Sequence, residues 1–326
     1  MSELTMVEAI DRALAFELDR DPDVVLLGED IGADGGVFRA TVGLREKFGA
    51  ERVIDMPLAE AAIAGVAVGM AAMRLKPVAE IQFSGFIYPA IDQIINHAAR
   101  LRNRTRGRLA CPMVLRSPCG AGIHAPEHHS ESPEAMFAHM PGLRVVMPSS
   151  PKRAYGLLLA AIRDPDPVVF LEPTRLYRLF KEEVEDDGEA LPLDACFLLR
   201  EGANATVVTW GACTHETMLA ADVLEQEGVD IEVIDVATLK PLGEAAILQS
   251  VAKTGRCIIV HEAPRTAGFG AEIAALVAEK ALYSLLAPIE RVTGYDVVTP
   301  LARLEAEHMP NVERIVAAVR KTMEAS

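Results

Sequence analysis

Glu60 stands at the head of the run 61–73 (AAIAGVAVGMAAM), in which no side chain can carry charge. The run is too short to span a bilayer and predicts a buried core helix, with Asp55 or Pro57 marking its start and Gly65 and Gly69 permitting close packing. Glu60 then falls in the first turn, where the helix dipole favours its carboxylate and desolvation favours the protonated acid. Its proton affinity is therefore tunable, although most glutamates at such a position only decorate the helix start. The loop 117–133 (SPCGAGIHAPEHHSESP) gathers His124, Glu127, His128 and His129 among glycines and prolines. Such histidines suit zinc, a proton donor or a clamp on a substrate carboxylate, with plain surface display as the alternative. H-E-x-x-H is absent, so the zinc reading has no distinctive spacing behind it. The segment 80–86 (EIQFSGF) adds Gln82 and Phe86 just past an apolar strand, Phe86 as core or as ligand platform. Gly28, Gly32, Gly35 and Gly36 are not spaced as G-x-G-x-x-G, and no G-x-x-x-x-G-K-[ST] occurs, which argues against a phosphate cradle of either kind.

These groups need a scaffold, and 326 residues predict two cores. Apolar runs at 24–27, 78–82, 113–115, 144–147 and 168–171 read as buried strands, with helices over 88–102 and 151–163 between them. Such alternation predicts a parallel sheet between helices, and loops at the carboxyl ends of its strands are where ligands sit. The acidic, proline-bounded stretch 181–192 (KEEVEDDGEALP) reads as a linker or edge hairpin, after which the α/β rhythm restarts at strand 205–209. The expected division is 1–185, a linker at 186–203, and 204–326. A formal charge of -15 and a pI near 5.0 argue against nucleic acid, since phosphate binding needs clustered Lys and Arg. The short basic run 100–108 (RLRNRTRGR) is a solvated helix end or a patch for an acidic partner. Five scattered cysteines without a C-x-x-C pair suit a reducing cytoplasm. At the N-terminus, Thr5 and Glu8 can form a capping box ahead of Val7, Ile10, Leu14 and Leu18 on one face, which predicts a docking helix rather than a signal or transit peptide.

The segments LLGEDIG (26–32), GGVF (35–38), VIDMPLAE (53–60), PVAEIQF (77–83), IDQIINHAA (91–99), HHSESPEA (128–135), AIRDPDPVVFLEP (161–173), VAKTGR (251–256) and APIERVTG (287–294) form an ordered set spanning the chain. The set resembles the β subunit of the thiamine-diphosphate-dependent E1 component of 2-oxo acid dehydrogenase complexes. That resemblance implies a transketolase-like pyrimidine-binding domain followed by a transketolase C-terminal domain. It also implies an α2β2 heterotetramer that decarboxylates a 2-oxo acid and passes the acyl group to lipoyl-E2. Pyruvate leads as substrate; branched-chain 2-oxo acids and acetoin are the alternatives, and a non-catalytic scaffold is the rival of a different class. By resemblance, Glu60 exchanges a proton with the cofactor's aminopyrimidine N1′, Phe86 packs on that ring with Leu58 and Gln82 beside it, and His129 assists proton movement or lipoyl reduction. Glu29 resembles an acid in a polar channel between paired active sites. Met113, Ala161, Ile162, Asp164 and Asp166 match a structural potassium site. The GDG motif and downstream NN that hold Mg²⁺ and the diphosphate are absent, so the α subunit is expected to supply that half.

Overall fold

Runs of Val, Ile and Leu too short for helices, spaced by helical periods, lay parallel strands side by side between helices. The computed structural model describes residues 2–325 and follows that rule twice. Through residue 184 the strands are β1 (Ser2–Leu4), β2 (Val24–Gly28), β3 (Val53–Asp55), β4 (Lys76–Glu80), β5 (Val114–Cys119), β6 (Arg144–Val146), β7 (Val168–Pro173) and β8 (Glu182–Val184). The second half contributes β9 (Phe197–Arg200), β10 (Ala205–Thr209), β11 (Ile231–Asp235), β12 (Thr238–Lys240), β13 (Cys257–Pro264) and β14 (Glu290–Gly294). The larger sheet has the order β12-β6-β7-β5-β4-β2-β3, parallel except at β12, and the smaller has β14-β13-β10-β11-β9, parallel except at β9. β12 thus comes from the second half of the chain and completes the first sheet, with Thr238 opposite Val146.

The N-terminal helix Met6–Arg20 opens with the expected capping box, Thr5 N–H donating to Glu8 Oε2 at 2.8 Å. Its face of Val7, Ile10, Leu14 and Leu18 is buried, against helix Pro151–Arg163. Each such side chain contributes about 1.5–3 kcal/mol on leaving water. Glu17, wholly buried on the same helix, accepts from Arg163 Nε at 2.8 Å, which neutralises a charge that burial alone would penalise.

Four local expectations change. The helix over 88–102 is broken into a 3₁₀ turn Tyr88–Ala90, a π-helical stretch Gln93–Ala98 and a short α-helix Leu101–Arg104; the wide turn keeps Ile94 and Ala98 buried. The stretch 181–192 makes no hairpin of its own, because β8 pairs antiparallel with β1, Leu4 opposite Glu182. Asp55 ends a strand instead of starting the following helix, which runs Glu60–Ala72. That helix is only half a core helix: Ile63, Ala64, Ala67 and Ala71 are buried, while Ala61, Ala62, Val66, Gly69 and Met73 are exposed. Gly65 does allow a close approach, by Gln93, but Gly69 faces open space. No helix among the described residues is long and apolar enough to cross a membrane.

Candidate active site

In the larger sheet β3, β2, β4 and β5 are consecutive neighbours, so the loops leaving their carboxyl ends lie side by side. Leu58 and Glu60 follow β3, Glu29 follows β2, Gln82 and Phe86 follow β4, and His129 lies in the loop after β5. Every residue expected to touch the organic cofactor is therefore on one edge of four adjacent strands, the edge where open parallel sheets place ligands.

One end of this edge is acidic. Glu60 opens its helix after Ala59, and no side chain caps the helix start. The carboxyl of Glu29, only 7% exposed, is raised above the usual glutamate range by burial, then by the nearby charges of Glu60 and Asp30. The Ala59 N–H bonds to Glu29 and opposes that shift, yet Glu29 Oε1 is buried without a partner. An orphaned acceptor beside a second carboxylate is arranged to meet a donor from outside the chain. Asp55 holds the loop after β2 in place, accepting from Gly32 N at 2.6 Å and Ala33 N at 3.1 Å and pairing with Arg45. Leu58 is 82% exposed and Gln82 half-buried.

The other end is aromatic. His129 lies edge-on to Phe83, ring centroids 4.0 Å apart, and 5.2 Å from Phe86; Phe83 in turn meets Phe38 at 5.3 Å and Phe86 at 5.8 Å. Burial, followed by the neighbouring His128, lowers the His129 pKa, which keeps the imidazole neutral near neutral pH; its Nδ1 is buried and unpartnered. His128 is half exposed, its Nδ1 3.6 Å from Glu127 Oε1. Two short 3₁₀ turns press together here, Ser84–Phe86 and Glu127–His129. A Cβ on Gly85 would stand 1.9 Å from the His128 carbonyl oxygen, so only glycine admits this approach. Ser84 Oγ donates to Glu131 O at 2.8 Å, and Gly120 N–H donates to the same carbonyl at 2.8 Å, closing the loop.

Phe83 and Gly85 are the local residues that the sequence reading passed over. The signal was present in QFSGF, where Phe83 and Phe86 are three apart around a glycine. Among the described residues, no hydrogen bond or ring contact joins Glu29 and Glu60 to the Phe83–His129 cluster. A ligand with a protonatable ring nitrogen and a flat face fits an edge with acids at one end and an aromatic cluster at the other.

The cation group lies elsewhere. Met113 precedes β5 and Asp164 and Asp166 precede β7, so they belong to the amino edge of the sheet. Asp164 pairs with Arg144 at 2.9 Å and Asp166 with Arg102 at 2.6 Å, one guanidinium coming from the basic run 100–108. The carbonyls of Met113 and Ala161 each already accept one backbone N–H, from Val168 and Asp164. A cation there would meet the remaining carbonyl lone pairs, including that of Ile162, rather than free carboxylates.

Residues 2–179 match the family described as Transketolase, pyrimidine binding domain, and residues 195–315 match Transketolase, C-terminal domain. The chain is 49% identical over 325 residues to the pyruvate dehydrogenase E1 component subunit beta of Acholeplasma laidlawii, covering 100% of this chain and 99% of that one. It is 46% identical over 326 residues to the 2-oxoisovalerate dehydrogenase subunit beta of Bacillus subtilis strain 168, covering 99% and 100%. The pyruvate dehydrogenase E1 component subunit beta of the same strain is 45% identical over 324 residues, with the same coverage. Among solved structures, one described as "Split gene transketolase, inactive beta4 tetramer" superposes with a TM-score of 0.81 at 22% identity, covering 99% of each chain, a likeness of fold alone.

Proposed function

The chain belongs to the family of transketolase-like E1-component β subunits of 2-oxo acid dehydrogenases, and on that premise we propose that it joins an α subunit in an α2β2 assembly that oxidatively decarboxylates pyruvate and passes the acetyl group to lipoyl-E2. The observation that carries this reading is the shared carboxyl edge of β3, β2, β4 and β5, with a carboxylate pair at one end and the His129 cluster at the other. When bound, thiamine diphosphate supplies the thiazolium carbon that attacks the 2-oxo acid and holds the acyl unit. Glu60, in the field of its helix N-terminus, exchanges a proton with the pyrimidine N1′. Glu29, raised by burial beside it, keeps a proton where an exposed glutamate would lose it, and this supports a role in passing protons along the acid end. Phe86 would pack on the pyrimidine with Gln82 and the exposed Leu58 beside it. His129, beside Phe83 and Phe86 and with an orphaned nitrogen, is suited to relay the proton that the departing lipoyl sulfur takes up as the disulfide is opened.

In the same proposal the α subunit holds Mg²⁺ and most of the diphosphate contacts, and the backbone around Met113, Ala161, Ile162, Asp164 and Asp166 holds a structural K⁺ through its carbonyls. The linker expected at 186–203 would divide the two domains, although β9 (Phe197–Arg200) within it pairs with β11 of the second sheet, and the enzyme works in the cytoplasm. The exposed apolar face of helix Glu60–Ala72 supports an obligate assembly, since water-facing alanine, valine and methionine on a helix next to a half-built site suit a partner chain. The two Bacillus subtilis relatives, 45% and 46% identical, favour pyruvate and 2-oxoisovalerate almost equally, which keeps the branched-chain substrate as the second reading. Steady-state turnover of pyruvate against 3-methyl-2-oxobutanoate by the reconstituted α/β pair decides. A higher kcat/KM for pyruvate is expected, and the reverse order assigns the branched-chain substrate.

A further inference from the structure

The loop that carries His129 is tied down by the other half of the chain. Glu262, partly buried on β13, accepts the Ala121 N–H and, at 3.4 Å, the Ser132 hydroxyl. Glu305, on helix Ala302–His308 with its side chain 1% exposed, accepts from Gly122 N at 2.9 Å through one oxygen. Its other oxygen meets His124 N at 3.2 Å and His124 Nδ1 at 2.8 Å. Thr299 Oγ1 adds a bond to Ser130 O at 3.4 Å. The loop backbone is shaped to these contacts: Gly120 and Gly122 have φ of +82° and +98°, and a Cβ on Gly122 would stand 2.3 Å from Arg175 Cδ. His124 itself has φ of +59°, a strained choice for a residue with a side chain, and it persists where surrounding contacts over-determine it.

We propose that Glu305, assisted by Glu262, is a positioning residue for the proposed transfer chemistry: a carboxylate clamp on the loop amides that sets the Glu127–His129 turn against Gly85 and Phe83. The chemistry of the acceptor explains why acids are used. Converging N–H groups need an acceptor on both oxygens, and a buried carboxylate needs those donors to offset its desolvation. A glutamine would turn an NH₂ toward one of the amides. The clamp closes a span of 183 residues, so a shift between the two halves of the chain moves the histidine.

This inference rests on the reading of His129 given above, and its test separates the two. In the reconstituted α/β enzyme, Glu305→Gln should speed amide hydrogen exchange across 120–132 by roughly 10-fold or more, the scale of one lost charge-assisted bond. Acyl transfer should lose about 10-fold or more in kcat, at an unchanged KM for the 2-oxo acid and unchanged C2–H exchange of the cofactor. Loop exchange equal to wild type would overturn the clamp whatever the activity. His124→Ala removes only the ring contact and should leave both readouts unchanged; if it reproduces the Glu305→Gln effect, the imidazole pair holds the loop and the amide clamp is wrong. Wild-type protein gives a variant-free check, since Gly122 and His124 amides that exchange at the rate of an open loop also overturn the proposal. Wild-type transfer by His129→Ala with a slow-exchanging loop would instead overturn the role of His129 and leave the clamp standing.

Discussion

At the residue scale, the acid end of the edge turns on which carboxylate serves the helix and which is left for chemistry. Glu29 takes the Ala59 N–H, no side chain caps the helix that Glu60 opens, and the proposed function gives the chemistry to Glu60. Glu60→Gln keeps size and polarity but cannot exchange a proton, and should slow cofactor C2–H exchange by roughly 10²- to 10⁴-fold in the assembled enzyme. Its melting temperature should hardly move, because an amide is cheaper to desolvate than a carboxylate. Unchanged exchange with lowered stability would return Glu60 to the role of a dipole partner worth about 0.3–1 kcal/mol. Glu60 and the histidine loop were legible as candidates because a charge heading an apolar run and a histidine cluster stand out by type, and the family resemblance alone picked out His129. Phe83 was not, because an aromatic next to a strand looks the same whether it lines a site or fills a core.

At the element scale, the site depends on two 3₁₀ turns meeting at a missing side chain. Gly85→Ala places a methyl inside the His128 carbonyl, so one turn must retreat. Backbone cannot yield as a flexible side chain can. Gly85→Ala is therefore expected to lower acyl transfer by about 10²-fold, the scale of a 1 Å misplacement, and stability by about 1–3 kcal/mol. Stopped-flow transfer assays beside urea denaturation check both, and wild-type transfer would show that the turns do not set the histidine. The parallel strands other than β3 (Val53–Asp55), whose three residues are too few for a visible apolar run, were legible element by element, as was helix Pro151–Arg163. The broken segment 88–104 was not, because its apolar spacing suits a continuous helix and the π turn forms where it packs against helix Glu60–Ala72.

At the scale of the whole molecule, the two halves meet over buried acids. Glu134 accepts from Trp210 Nε1 at 3.4 Å, its Oε2 has no partner, and burial pushes its pKa up to about 7. Below 4.5 the carboxyl is protonated folded or unfolded; between there and about 7 only the folded chain holds the proton; above that range the folded chain bears an ionised buried carboxylate. This group's contribution to stability therefore falls as pH rises through that window. Glu134→Gln should be more stable than wild type at pH 8 by on the order of 3 kcal/mol and indistinguishable near pH 4, measured as denaturation midpoints. A constant difference at both pH values would remove the titration from the explanation. Assembly gives a second check: Val66→Asp places a charge on the exposed face of helix Glu60–Ala72, and should leave the chain folded by circular dichroism yet unable to reach the wild-type mass with α in light scattering. Wild-type mass would place the partner on another face. The sequence by itself determined the alternation that makes two parallel α/β units, the acid heading an uncharged helix, and the motifs of the family, because periodicity and residue type are local properties. Only the tertiary structure decided that β3, β2, β4 and β5 are neighbours, that β12 crosses back to complete the first sheet, and that Glu262 and Glu305 reach loop amides 141 and 183 residues away. Strand order and long-range carboxylate contacts depend on how the chain closes on itself, and no local pattern of apolar and polar residues encodes that closure.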